Sequence, residues 1–133
     1  VELVTGSPGG SRIIGYTAQS IVNVIDFGLD PQEAINVPHY MNRNGRTDIE
    51  KPIPGVTLDY DAEALQAALI ARGHSNPDVP AEERQVGIIE QTSGLSIIQI
   101  EKKKQGKKRK HKNKHALLIG GADHRRDGTV AGR

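Results

Sequence analysis

Between Thr5 and Ile14 the chain reads Thr-Gly-Ser-Pro-Gly-Gly-Ser-Arg-Ile-Ile, so that three glycines and a proline join a β-prone pentapeptide, Val1–Thr5, to a long amphipathic run. These residue types expose main-chain amides. Gly6, Gly9 and Gly10 carry no Cβ, can take positive φ and let another group approach the backbone, while Pro8 fixes its own φ and supplies no N–H. A helix starting just after them begins with unpaired N–H groups and the positive end of its dipole, which together suit an anion or an oxyanion. The same residues also suit a plain tight connection in which Ser11 caps the helix.

Other side chains that could do chemistry are poorly grouped. His124 lies near Asp123 and Asp127, and His111 and His115 are four apart, but the last two sit among lysines that repel a cation, and no set has the spacing of a zinc site. Neither a metal nor a cofactor is expected. Ser7 could be written into a serine–histidine–acid triad, yet nothing in the sequence brings such partners together. His39 beside Tyr40 reads as a packing pair. The chain has no cysteine, which excludes a disulfide framework, a thiol nucleophile and a thiolate ligand.

The elements that must position the glycine loop follow from periodicity. The spacing predicts a strand over 1–5 and a helix over about 11–27, with Ile14, Ala18, Ile21 or Val22, and Ile25 on one side, Arg12, Gln19, Asn23 and Asp26 on the other, and Gly28 just past its end. Asp30-Pro31 should cap a short helix through Ile35, with Glu33 close behind. Residues 39–60 read as irregular chain with a short strand near 48–51. Asp61 should cap a second long helix that ends at Gly73, with Leu65, Ala68 and Leu69 as its apolar stripe. Residues 74–83 form a polar connector. The runs 86–89, 95–100 and 116–119 are β-rich, and the last two are expected to pair as a hairpin.

At 133 residues and 35% hydrophobic content, with one Phe, three Tyr and no Trp, the chain suits one domain whose core is built from Ile, Val, Leu and Ala. It starts at Val1 already in strand-like sequence, and is expected to be a piece of a longer polypeptide. No apolar run approaches the roughly 20 residues needed to span a membrane, so a soluble protein is expected. The net charge of +2 conceals an asymmetry: residues 102–115 hold nine Lys/Arg and no acid, leaving nine basic residues against sixteen acidic ones elsewhere. Like charges in a block repel one another, so Lys102 to His115 is expected to be a flexible hairpin loop. It lacks interleaved aromatics for stacking bases, and any contact with a polyanion should be backbone-driven and salt-sensitive. A noncatalytic binding module using this basic arm on nucleic acid or an anionic surface is the alternative function.

Taken together, Gly6-Ser7-Pro8-Gly9-Gly10-Ser11-Arg12-Ile13, the run Ile25-Asp26-Phe27-Gly28-Leu29-Asp30 with Pro31-Gln32-Glu33-Ala34, and Val37-Pro38-His39-Tyr40 resemble the C-terminal half of the small subunit of the γ-glutamyltransferases, which are N-terminal-nucleophile hydrolases. Gly120-Gly121-Ala122-Asp123-His124-Arg125-Arg126 is similar to that family's Gly-Ala-Ser-Asp-Pro-Arg region. The resemblance implies an α/β fold forming part of a four-layer αββα sandwich, incomplete without upstream sequence. It implies cleavage of the γ-glutamyl bond of glutathione and related compounds through a γ-glutamyl-threonine ester, with transfer to water or an amino acid. It assigns the backbone N–H groups of Gly9 and Gly10 to the oxyanion hole. The family's nucleophile is the threonine that opens the small subunit, whereas Thr5, Thr17, Thr47 and Thr57 are internal. The nucleophile, the serine pair and the groups that grip the substrate are therefore expected from the upstream part of the same enzyme, and the chain alone is expected to be inactive. The family setting implies a periplasmic or extracellular location.

Overall fold

The computed structural model describes residues 2–74, 80, 86–92, 94–102 and 116–131. In chain order these form β1 (Leu3–Gly6), a 3-10 turn (Gly10–Arg12), α1 (Ile13–Ile25), α2 (Pro31–Asn36), β2 (Tyr40–Asn42), β3 (Thr47–Glu50), α3 (Ala62–Ala71), β4 (Gly87–Ile89), β5 (Ser96–Lys102), β6 (Ala116–Ala122) and a second 3-10 turn (His124–Arg126). Antiparallel pairing sets one sheet in the order β1-β5-β6, with Thr5 opposite Ile97 and Ile97 opposite Gly121. A second sheet has the order β2-β3-β4, antiparallel between β2 and β3 and parallel between β3 and β4. The expected pairing of the last two strands is present, and Lys102 closes the ladder opposite Ala116. The rest of the basic segment, 103–115, lies outside the described residues.

Helix ends follow the local chemistry closely. Asp30 accepts hydrogen bonds from the Gln32 and Glu33 amides, the Glu33 carboxylate takes the Asp30 N–H, and Pro31 occupies the first turn, a complete capping box for α2. Asp61 caps α3 through the Ala64 N–H. Gly28 and Gly73, placed after α1 and α3, both adopt positive φ, 69° and 87°.

Two apolar clusters hold the sheets. Tyr16, Val24, Ala34, Ile35, Leu95 and Ile97 pack where α1 and α2 cover the first sheet, with Leu3, Leu29 and Met41 at the margin. Ile49, Ala62 and Val86 form the second cluster, joined by Tyr60, Leu69, Ile70 and Ile88. The buried face of α1 corrects the sequence expectation. Tyr16, Ser20 and Val24 point inward, whereas Ile14, Ala18, Ile21, Val22 and Ile25 are exposed, Ile14 by 84%. The apolar stripe of α1 therefore faces away from this chain's own sheet. The opposite face of that sheet is also open, with Val4, Ile98 and Leu118 exposed. In α3 Leu65 is exposed as well, and Leu69 and Ile70 do the packing. No helix among the described residues is long and apolar enough to cross a membrane.

β6 and α2 approach each other closely, backbone to backbone. An added Cβ on Gly121 would lie 2.6 Å from the Pro31 carbonyl carbon and oxygen and 2.9 Å from the Gln32 nitrogen. The Gln32 side-chain amide then bonds both the carbonyl and the N–H of Ala122. Backbone cannot yield as a side chain can, so Gly121→Ala should destabilise the fold by about 1–3 kcal/mol through overpacking. Urea unfolding should show this loss, while Gly45→Ala, whose Cβ would enter open space, should leave the midpoint within error.

Candidate active-site loop and its buried support

The glycine loop leaves β1 at Gly6 and enters the 3-10 turn at Gly10. Gly10 has φ 58°, a left-handed conformation that costs other L-residues about 1–2 kcal/mol. Gly9 has φ −75° and ψ 10°, angles open to any residue, so what glycine provides there is room for approach. The Gly9 N–H points at Ser7 Oγ, 3.2 Å away, and the Gly9 carbonyl accepts from the Arg12 N–H. No acceptor among the described residues takes the Gly10 N–H.

Ser11 does not cap the helix. It lies within the 3-10 turn, Gly9 occupies the cap position, and no side chain takes an amide of either first turn. Ser11 Oγ instead accepts from Arg43 Nη1 at 2.6 Å. Arg12 and Arg46 both bind Asp48, at 3.4 and 2.8 Å. The loop is thus bordered by three guanidinium groups and one carboxylate, which adds positive potential around it. The arrangement can do one thing chemically: present N–H groups, with no proton of their own to transfer, to negative charge on a ligand.

A second constellation lies entirely inside. Arg125 binds Glu50 in a fork, Nε to Oε1 at 2.6 Å and Nη2 to Oε2 at 2.7 Å, and its Nη1 reaches both oxygens of Asp123 and the Ile35 carbonyl. The side chains of all three are at most 1% exposed. Burial by itself lowers the affinity of Arg125 for its proton, but the hydrogen bonds and charges of Glu50 and Asp123 outweigh it, and the guanidinium is held above its ordinary range. Asp123 also accepts from the Leu95 N–H, and Glu50 from the His39 N–H.

His39 stacks on Tyr16, with ring centroids 4.0 Å apart, rather than on its neighbour Tyr40, which is largely exposed. The Tyr16 hydroxyl donates to Gln91 at 2.6 Å. Sequence reasoning singled out Asp123 and Arg125 through their motif and missed Glu50, Tyr16 and Gln91. The one available signal was Glu50 itself, an acid at the end of a short strand, directly after the apolar Ile49.

The 460 Å³ cleft between residues 51–56 and 90–92, bordered by His124 and Arg125, takes no residue from the glycine loop. Among the described residues no three His, Cys, Asp or Glu side chains are grouped so as to hold a metal ion. Asp123 is committed to Arg125 and the Leu95 amide, and His124 faces solvent.

Comparison with solved structures shows what class of protein this is. The fold matches a mutant Helicobacter pylori gamma-glutamyltranspeptidase at TM-score 0.63 and 27% identity, covering 95% of this chain and 55% of that one. It matches cephalosporin acylase from Bacillus halodurans at TM-score 0.61 and 27% identity, covering 96% of this chain and 19% of that one. The chain is thus an α/β segment of the N-terminal-nucleophile hydrolase sandwich.

The gamma-glutamyltranspeptidase family model matches residues 1–133, and the chain belongs to that family. Among curated relatives, the glutathione hydrolase proenzyme of Escherichia coli strain K12 is 60% identical over 38 residues, 29% of this chain and 7% of the relative. The Acylase ACY 1 proenzyme of Pseudomonas sp. strain SE83 is 38% identical over 74 residues, 56% of this chain and 12% of the relative. This chain therefore spans a small part of those proenzymes and about half of the solved transpeptidase chain.

Removing the cation from the buried network while leaving both carboxylates strands two charges in the interior. Arg125→Met should cost about 3–5 kcal/mol of stability. Arg125→Lys should recover little of it, because an ammonium cannot form the fork to Glu50 and reach Asp123 together. Thermal unfolding of the two variants beside the parent checks both expectations.

Proposed function

We propose that this chain is the C-terminal part of the small subunit of a γ-glutamyltransferase. The complete enzyme cleaves the γ-glutamyl bond of glutathione or a related compound and passes the acyl group to water or an amino acid. Membership of the family and the glutathione hydrolase relative support this assignment. The observation that carries it is the loop geometry: Gly10, left-handed directly before a helix, presents an N–H that no described acceptor takes, at the position the family resemblance assigns to the oxyanion hole. Gly9 joins it as the acyl oxygen, gaining charge, competes with Ser7 Oγ for its N–H.

Upstream sequence of the same enzyme supplies the threonine nucleophile and the substrate-gripping groups. The exposed stripe Ile14, Ile21 and Ile25 on α1 and the open sheet face at Val4, Ile98 and Leu118 offer apolar surface on which such further layers can rest. By the same resemblance the enzyme works in the periplasm or outside the cell. The basic segment Lys102 to His115 touches polyanions weakly and through charge alone.

In the complete enzyme Gly10→Val should lower turnover by roughly 10²–10³, the cost of one oxyanion donor, with substrate affinity much less changed. Gly10→Asn, which tolerates positive φ better, should lose less. Single-turnover acylation with a γ-glutamyl anilide measures both, and parental rates in a folded Gly10→Val variant would leave the loop a mere connection. Replacing residues 103–115 by Asn-Gly should leave turnover within a few-fold while abolishing retention on a heparin column, and retention by the parent should fall steeply with salt.

A further inference from the structure

A glycine-rich loop is an unpromising frame for catalytic amides, because glycine surrenders more conformational freedom on ordering than any other residue. Something must hold its two ends. Thr5, the penultimate residue of β1, and Ser20, in the middle of α1, meet across the loop with their hydroxyl oxygens 2.8 Å apart. Ser20 is fully buried and sits between Tyr16 and Val24 on the packed face of the helix, where an apolar residue would pack without leaving a hydroxyl to satisfy.

The Thr17 carbonyl, which can only accept, assigns the protons. Ser20 Oγ donates its one hydrogen to the Thr17 carbonyl at 2.8 Å, so Thr5 Oγ1 is the donor to Ser20. Thr5 faces the helix because its strand partner Ile97 does, and its β-branch fixes χ1 and hence the direction of the hydroxyl. The result is a strand–hydroxyl–hydroxyl–helix link that closes the loop at its base, with Gly6 to Arg12 lying within it.

We propose that the Thr5–Ser20 pair is a positioning clamp for the Gly9 and Gly10 amides, fixing the start of α1 against the end of β1 so that both donors meet the developing oxyanion in one geometry. This rests on the oxyanion reading above. Neither hydroxyl touches substrate. Their effect passes through the loop, and it is felt in the transition state, where misplacement of donors matters most.

The test uses the complete enzyme and separates kcat from KM. Thr5→Val, which keeps shape and removes the hydroxyl, should lower kcat roughly ten- to hundredfold, as expected for a sub-ångström to 1 Å displacement of catalytic groups, with KM within about twofold. Ser20→Ala should do the same, the double variant should be no worse than either single one, and Thr5→Ser should restore most of the rate. Val24→Ala, one turn further along the same buried face, is the control for mere loss of helix packing. It should lower the melting temperature without lowering kcat.

Parental kcat in Thr5→Val, or losses that track melting temperature equally in Val24→Ala, would overturn the clamp. Gly10→Val is run in parallel. If it collapses turnover while Thr5→Val does not, only the clamp fails, and if Gly10→Val also retains turnover, the oxyanion reading fails and the clamp with it.

Discussion

One buried cation organises the inner half of this chain. Arg125 arrives from the short turn after β6 and is met by the carboxylates of Glu50 at the end of β3 and of Asp123 in its own turn, and by the carbonyls of Ile35 in the last turn of α2 and Val37 just past it. Three segments distant in sequence, 35–37, Glu50 and 123–125, are thereby fixed to one planar group whose donors point in set directions. The desolvation cost is high enough that such a network is retained only when every member is satisfied, and here each carboxylate also accepts a backbone N–H, from His39 or from Leu95. The second cluster and the first sheet are joined through this point, since Glu50 belongs to β3 and Asp123 follows β6.

From there the order passes outward to the glycine loop by two routes. Glu50 holds the His39 backbone, the His39 ring stacks on Tyr16, and Tyr16 reaches Gln91, so the inner face of α1 is anchored one turn from its start. Thr5 and Ser20 tie that helix to the strand before the loop. Among the described residues, Arg43 reaches Ser11, and Arg12 and Arg46 meet at Asp48 beside the loop. A flexible sequence held by rigid neighbours is what a site built from backbone donors requires, because amides cannot be repositioned by rotamer choice.

Local chemistry made part of this legible in advance. Positive φ at Gly10, Gly28 and Gly73, the Asp30 and Asp61 caps and the β5–β6 pairing follow from residue type and short-range spacing and are present, whereas Gly6 and Gly9 are not at positive φ. The motif around Asp123 and Arg125 was visible as a resemblance, but its partner Glu50 lies 75 residues from Arg125, and no local signal specifies a pairing at that distance. Short strands were the other gap. Residues 40–42 form β2 only because β3 lies beside them, a tertiary decision that propensity does not contain.

The inversion on α1 is the most instructive departure. Periodicity identified a real apolar stripe, and this chain's own sheet does not cover it, since hydrophobic spacing reports that a face is to be buried and is silent about by what. The face that this chain buries carries Tyr16, Ser20 and Val24, two of them hydroxyl-bearing, and their hydroxyls are spent on Gln91, Thr5 and the Thr17 carbonyl. That face is specified by directional bonds, which fix the orientation of the helix as well as its depth. The outer stripe is generic, able to accept any apolar layer of suitable shape. A helix with one directional face and one generic face suits the middle of a layered fold: the directional side holds the glycine loop in register with its own sheet, and the generic side can take up a further layer without disturbing it.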